Sequence, residues 1–89
     1  MKTHSLKTWP QYFEAIARGI KTAEFRKDDR LFQAGDTLDL QEYDPDESPP
    51  RYTGRSIRMT VSHILRGPAA GIPEGYAMLS LQRPDSLKG

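Results

Sequence analysis

Five residues in one short stretch carry side chains that could bind or react: Lys21, Thr22, Glu24, Arg26 and Lys27. Thr22, Glu24 and Arg26 alternate with Ala23 and Phe25, and a strand with a period of two puts the polar set on one face and the apolar pair on the other. A carboxylate and a guanidinium then lie side by side, with Lys21 at the start of the strand. A positive Lys21 beside Arg26 can hold a phosphate, and a guanidinium also stacks on a base or forks against a carboxylate. Glu24 decides between two chemistries. As an acceptor it takes hydrogen bonds from the exocyclic amine of a base, which is recognition. As a general base it needs a partner, and Lys21 and Glu24 are the catalytic candidates. Two neighbouring cations favour the ionised carboxylate, however, which suits an acceptor and weakens a base. A purely structural ion pair between Glu24 and Arg26 is the plainer alternative, because exposed pairs of this kind are common and worth about 0–1 kcal/mol.

The flanking elements must hold these groups in place. Lys2 to Lys7 is short and alternating, a first strand. Thr8-Trp9-Pro10-Gln11 fits a capping box with proline in the first turn, and it opens a helix running from Trp9 to Arg18. Trp9, Phe13, Ile16 and Ile20 fall on one stripe, with Trp9 expected in the core or over the helix start. Gly19 supplies the left-handed residue that ends the helix, and Thr22 to Lys27 is the strand that follows. After an exposed turn at Lys27 to Arg30, Gly35-Asp36 opens a strand with Leu38 and Leu40 inward and Tyr43 at its close. Asp44 to Pro50 is the tip of a long hairpin. The longest strand then places Ile57, Met59, Val61 and Leu65 on one face, with His63 in phase, and Arg58, Thr60 and Ser62 on the other. A glycine- and proline-rich loop from Gly67 to Gly75 leads to a last strand, Tyr76 to Leu81, and a fraying tail from Ser86 to Gly89.

At 89 residues the chain fits one domain, residues 1–89. It is 36% hydrophobic and 28% charged, which describes a folded chain rather than a disordered one. There is no cysteine, and His4 and His63 form no zinc motif, so no metal and no cofactor are expected. No apolar run reaches the ~20 residues that span a bilayer, and a cytoplasmic protein is expected, a monomer without a membrane partner. A net charge of +1 does not by itself point to nucleic acid. The distribution says more: Asp36 to Glu47 is acidic without a base, and Arg51 to Arg66 is basic without an acid. Cross-strand matching between antiparallel neighbours accounts for much of this. Tyr43, Tyr52 and Tyr76 could stack on bases, and edge packing at strand ends is the plainer role for each. His4 is a pocket candidate, whereas His63 is expected as a partly buried imidazole. Five to six strands, roughly, with one early helix suggest an α+β fold, a bent mixed sheet or small barrel with the helix against it.

The segment from Leu6 to Lys27 resembles the ASCH domain of the PUA-like superfamily. Lys7, Trp9-Pro10, Phe13 and Ile16 lead into Gly19, Lys21, Glu24 and Arg26, which match a Gly-x-Lys-x-x-Glu-x-Arg core. Gly35-Asp36, Glu42-Tyr43, Tyr52-Thr53-Gly54-Arg55 and Gly75-Tyr76 extend the likeness to a prokaryotic and phage subgroup, the DUF3850 family. The resemblance implies a small PUA-like mixed β-barrel with one N-terminal helix. It also implies an RNA or nucleotide ligand in a cleft near Lys21, Thr22, Glu24, Arg26 and Lys27. One ASCH branch hydrolyses acylated cytidine, so a nucleoside amidohydrolase is a second reading. In that branch threonine stands three residues after the lysine; here Glu24 does, and the branch's later glutamate has no clear counterpart, Glu74 lying in a loop. A phage or mobile-element module that binds a host protein is the third reading.

Overall fold

Alternation builds most of this protein, and the computed structural model describes residues 1–84 of it; the expected tail at Ser86 to Gly89 lies outside the described residues. In β1 (Thr3–Thr8) His4, Leu6 and Thr8 point inward between exposed neighbours. In β3 (Thr37–Asp44) Leu38, Leu40 and Glu42 point inward between half-buried neighbours, as do Ala77, Leu79 and Leu81 in β5 (Tyr76–Gln82), where only Tyr76 is exposed. The remaining elements are α1 (Pro10–Ala17), β2 (Ala23–Lys27) and β4 (Arg51–Arg66). Five strands form one mixed sheet in the order β1-β3-β4-β5-β2, with β1 parallel to β3 and every other pair antiparallel. The sheet curls into a half-barrel around Leu6, Phe32, Leu38, Leu40, Met59, Val61, Leu79 and Leu81, and Ile16 of α1 packs into the same cluster.

The expected barrel is therefore not closed by backbone pairing. β1 and β2 are the two ends of the strand order, and two arginines bridge them. Arg26 Nη2 donates to the Lys7 carbonyl at 2.5 Å, and Arg30 Nη1, from the loop after β2, donates to the Ser5 carbonyl at 2.8 Å. Side chains take the place of a ladder along this seam.

The helix is shorter than its hydrophobic stripe. Phe13 and Ile16 are buried, but the chain leaves the helix after Ala17, so Ile20 is exposed, and Gly19 adopts a φ of 77° to make the exit. The capping box does not form. Thr8 is the last residue of β1 and points into the core, so its hydroxyl cannot turn back to the helix; Trp9 occupies the N-cap position without a side-chain bond. The Thr8 Oγ1 atom is left buried with no hydrogen-bond partner. Trp9 is half-exposed rather than part of the core.

β4 departs from strict alternation. Val61 pairs with Leu81 and His63 with Ser80, so Ser62 is an extra residue, a bulge that shifts the phase. Beyond it Ile64 packs against the core, while Leu65 and His63 turn outward. Both were expected on the inner face, and the single inserted residue overturns both. Thr60, expected outside, is buried, flanked by Thr37 and Gln82 in register. The acidic and basic runs do pair: Asp39 stands opposite Arg58, and Asp44 opposite Arg51.

One loop residue completes the core. Phe32 is fully buried, its ring edge-on to His4 at 4.7 Å between centroids. Arg66 ties this loop down, donating through Nε to Asp28 Oδ2 at 2.8 Å and through Nη2 to the Phe32 carbonyl.

Candidate functional site

β2 carries the site because its two faces are reversed relative to the other strands. Glu24, opposite Leu79, and Arg26, opposite Ala77, face the interior of the half-barrel; Phe25, opposite Met78, faces out and stacks on Tyr76 at 5.5 Å. Glu24 is 8% exposed, and a buried carboxylate needs partners. Lys21 Nζ donates to Glu24 Oε1 at 2.9 Å and also to the Ala23 carbonyl, while Arg26 Nε donates to Glu24 Oε2 at 2.9 Å. Glu24 and Arg26 share one side of the strand, as the period of two predicts, and Lys21 reaches the same carboxylate from the turn before it. Thr22 is not part of this group: it is exposed, and its carbonyl accepts from the Leu81 N–H at 2.9 Å.

Around the triad the seam opens into adjoining hollows. The largest, about 360 Å³, has Trp9, Tyr12, Glu24, Arg26, Lys27 and Phe25 on its walls, with Lys7 and Thr8 at the β1 side. A second, about 320 Å³, continues past Tyr12 and Glu24 to Lys21. A third, about 230 Å³, shares Lys7 and Arg26 with the first and adds Ser5, Arg30, Gln41 and Tyr52. Glu24 is the one carboxylate among the described residues that line them. Lys7, Lys21, Arg26, Lys27 and Arg30 make the groove positive, although the chain as a whole is nearly neutral. Its aromatic rim is half-exposed, with Trp9 and Tyr12 each showing about half their surface. Such a groove can accept an anion and a flat ring together.

The tyrosines divide. Tyr52 lines the smaller hollow and meets Tyr43, its cross-strand partner, edge-on at 5.0 Å; Lys7 Nζ lies 4.5 Å from the Tyr43 ring centre. Tyr76 lines none of these hollows; it stacks on Phe25, whose ring reaches the edge of two of them. The two histidines exchange expectations. His63 is exposed, and His4 is buried in a structural clamp.

That clamp centres on Asp36, a residue the sequence marks only as the start of a strand. Asp36 Oδ1 accepts the Lys2 backbone N–H at 3.0 Å; Oδ2 accepts the Gln33 backbone N–H at 3.0 Å and His4 Nε2–H at 2.8 Å. Burial works to raise the Asp36 pKa, but the bonds from Lys2, His4 and Gln33 outweigh it and hold the carboxyl at about 2. A third buried acid, Glu42, accepts the Thr53 hydroxyl at 2.7 Å and lies 3.7 Å from Arg55 Nη1. Its position in phase with Leu38 and Leu40 is the signal that finds it.

The family described as "Domain of unknown function (DUF3850)" matches residues 3–81. An "Uncharacterized 12.9 kDa protein in GpA 3'region" of Escherichia phage P2 is 36% identical over 63 residues, covering 71% of this chain and 54% of that protein. The chain thus spans about half the length of this relative. No helix among the described residues is long and apolar enough to cross a membrane.

Proposed function

The chain belongs to the DUF3850 family, and we propose that it is a PUA-like, ASCH-type domain that binds RNA or a nucleotide-like ligand in the groove along the β1–β2 seam. The observation that carries this reading is the Lys21–Glu24–Arg26 triad: a buried carboxylate held by two cations on the wall of a positive, aromatic-edged groove. Each Glu24 oxygen accepts one protein hydrogen bond and keeps a lone pair for a base N–H. Arg26 and Lys21 offer donors beside it. An edge with a donor next to an acceptor, as bases present, complements that pattern.

A hydrolase reading asks for a base or nucleophile held free to act. Lys21 here is engaged by Glu24 and by a backbone carbonyl, so it is not held free to act, which argues for binding. The test is titration of single-stranded RNA at several salt concentrations. Binding should weaken as salt rises, and each phosphate contact removed should lower the log–log slope by about 0.7. Lys21→Ala and Arg26→Ala should each reduce affinity. Equal RNA affinity for the wild type and the Lys21→Ala, Arg26→Ala double variant would remove the groove from consideration.

A further inference from the structure

We propose that the small hollow between Arg30, Arg26 and Lys7 is the phosphate subsite of a nucleotide whose base occupies the neighbouring Glu24 hollow. This assignment rests on the reading of the groove as a nucleotide binder and divides it into two compartments.

The division follows from where positive charge is already neutralised. Lys21 spends its charge on Glu24 Oε1, at 2.9 Å. Arg30, by contrast, donates to the Ser5 carbonyl, a neutral acceptor, and no carboxylate among the described residues lies within ion-pair distance of it. Lys7 is in the same position, its ammonium 4.5 Å from the Tyr43 ring centre and paired with no described carboxylate. Arg26 uses Nε on Glu24 and Nη2 on the Lys7 carbonyl. A guanidinium has five N–H donors, so both arginines keep several for another acceptor. Three cations around one hollow with a single, already shared carboxylate behind them suit an oxyanion with several oxygens. The sequence reading sets Lys21 and Arg26 on one phosphate; this subsite takes Arg30 and Lys7 with Arg26 instead, because Lys21 is paired with Glu24.

Size and lining agree. The hollow of about 230 Å³ gathers Lys7, Arg26 and Arg30 with no carboxylate on its wall, whereas the adjoining one of about 360 Å³ sets Glu24, Trp9 and Tyr12 beside Lys27. They share Lys7 and Arg26, so one ligand with a flat polar ring and a charged group can reach both. The loop bearing Arg30 is also held in an unfavourable shape. Leu31 has a φ of 52°, a left-handed conformation that a side chain with a Cβ rarely adopts, and buried Phe32 follows directly. Strain of this kind persists where surroundings enforce it and is common at ligand clamps.

The test is calorimetric titration of the intact chain at low salt with AMP and with adenosine. A charge-assisted contact of this kind corresponds to roughly 10-fold or more in affinity. AMP should bind at least about 10-fold more tightly than adenosine, and Arg30→Ala should remove most of that difference while leaving adenosine unchanged. Arg30 is exposed but also bonds the Ser5 carbonyl, so the melting temperature of the variant is measured alongside; Lys7→Ala probes the same hollow if it falls. Short oligoadenylates with and without a 5′-phosphate separate the two sources of phosphate. Preference for the 5′-phosphorylated strand indicates a terminal phosphate, and equal affinities that both fall in Arg30→Ala indicate an internal phosphodiester. Equal binding of AMP and adenosine, together with oligoadenylate affinity unchanged in Arg30→Ala and Lys7→Ala, overturns the subsite and leaves the groove reading standing. No binding of either compound or of single-stranded RNA overturns both.

Discussion

Replacing Asp36 by asparagine tests the account of the structural clamp at the start of β3. The carboxylate accepts three hydrogen bonds, from Lys2 N at 3.0 Å, Gln33 N at 3.0 Å and His4 Nε2 at 2.8 Å, and the residue is 1% exposed. Asparagine supplies one oxygen. Whichever way its amide turns, an NH₂ group faces at least one backbone N–H, so one or two bonds to a charged acceptor are lost, at about 1.5–3 kcal/mol each. An independent route gives a similar size. A folded pKa of about 2 against an ordinary 3.8 corresponds to roughly 2 kcal/mol of linked stability. Asp36→Asn should therefore cost about 2–4 kcal/mol, a large part of the total for a domain this small. In urea, with m of about 1–2 kcal/mol per M, the midpoint should fall by roughly 2 M. The sign of the pH dependence follows from the depressed pKa. The ionised Asp36 contributes fully above its unfolded pKa, and its contribution is lost as pH falls from about 4 through about 2. The gap between wild type and variant should thus shrink by roughly 2 kcal/mol over that window. A gap below about 1 kcal/mol at neutral pH, or one that does not narrow on acidification, refutes the reasoning.

Three further outcomes are expected. Gly67→Ala places a Cβ 1.9 Å from the Pro73 carbonyl oxygen, a backbone contact that cannot yield cheaply, and should destabilise by about 2 kcal/mol or more in chemical denaturation; a change within ~0.5 kcal/mol would mean the 67–73 approach is looser than described. Thr8→Val removes a buried hydroxyl that has no partner and should raise stability by about 1 kcal/mol, read as an increased melting temperature; a loss would show that the hydroxyl is satisfied. Incubation with N4-acetylcytidine should release no cytidine, and turnover that disappears in both Lys21→Ala and Glu24→Ala would rank enzyme above binder.

The strands and the helix were legible because each carries enough repeats to declare a period. β2 shows both the reach and the limit of this signal. Its alternation correctly joins Glu24 to Arg26, but alternation is silent on which face turns inward, and the polar face does because it fronts the groove. The bulge at Ser62 was not legible, since an inserted residue has no composition of its own and appears only when β5 supplies the register. Phe32 escaped notice because it lies in a loop directly after Leu31, with no repeat to mark which of the two apolar residues is core and which is exposed. Arg30 and Asp36 read as turn and strand-start residues. Their roles depend on Ser5, Lys2 and His4, about thirty positions away in sequence, contacts that local spacing cannot encode.

The side-chain seam also bears on how copies of this chain avoid one another. An open sheet end offers unpaired backbone groups to any passing strand, and inward-pointing charges on an end strand are one protection against such pairing. β2 has two, Glu24 and Arg26, and their guanidinium and that of Arg30 occupy the Lys7 and Ser5 carbonyls on β1. Guarding the seam and presenting the groove thus fall to the same arginines. Replacing both with apolar residues would uncover the β1 carbonyls, turning a side-chain-bridged gap into a template for self-association.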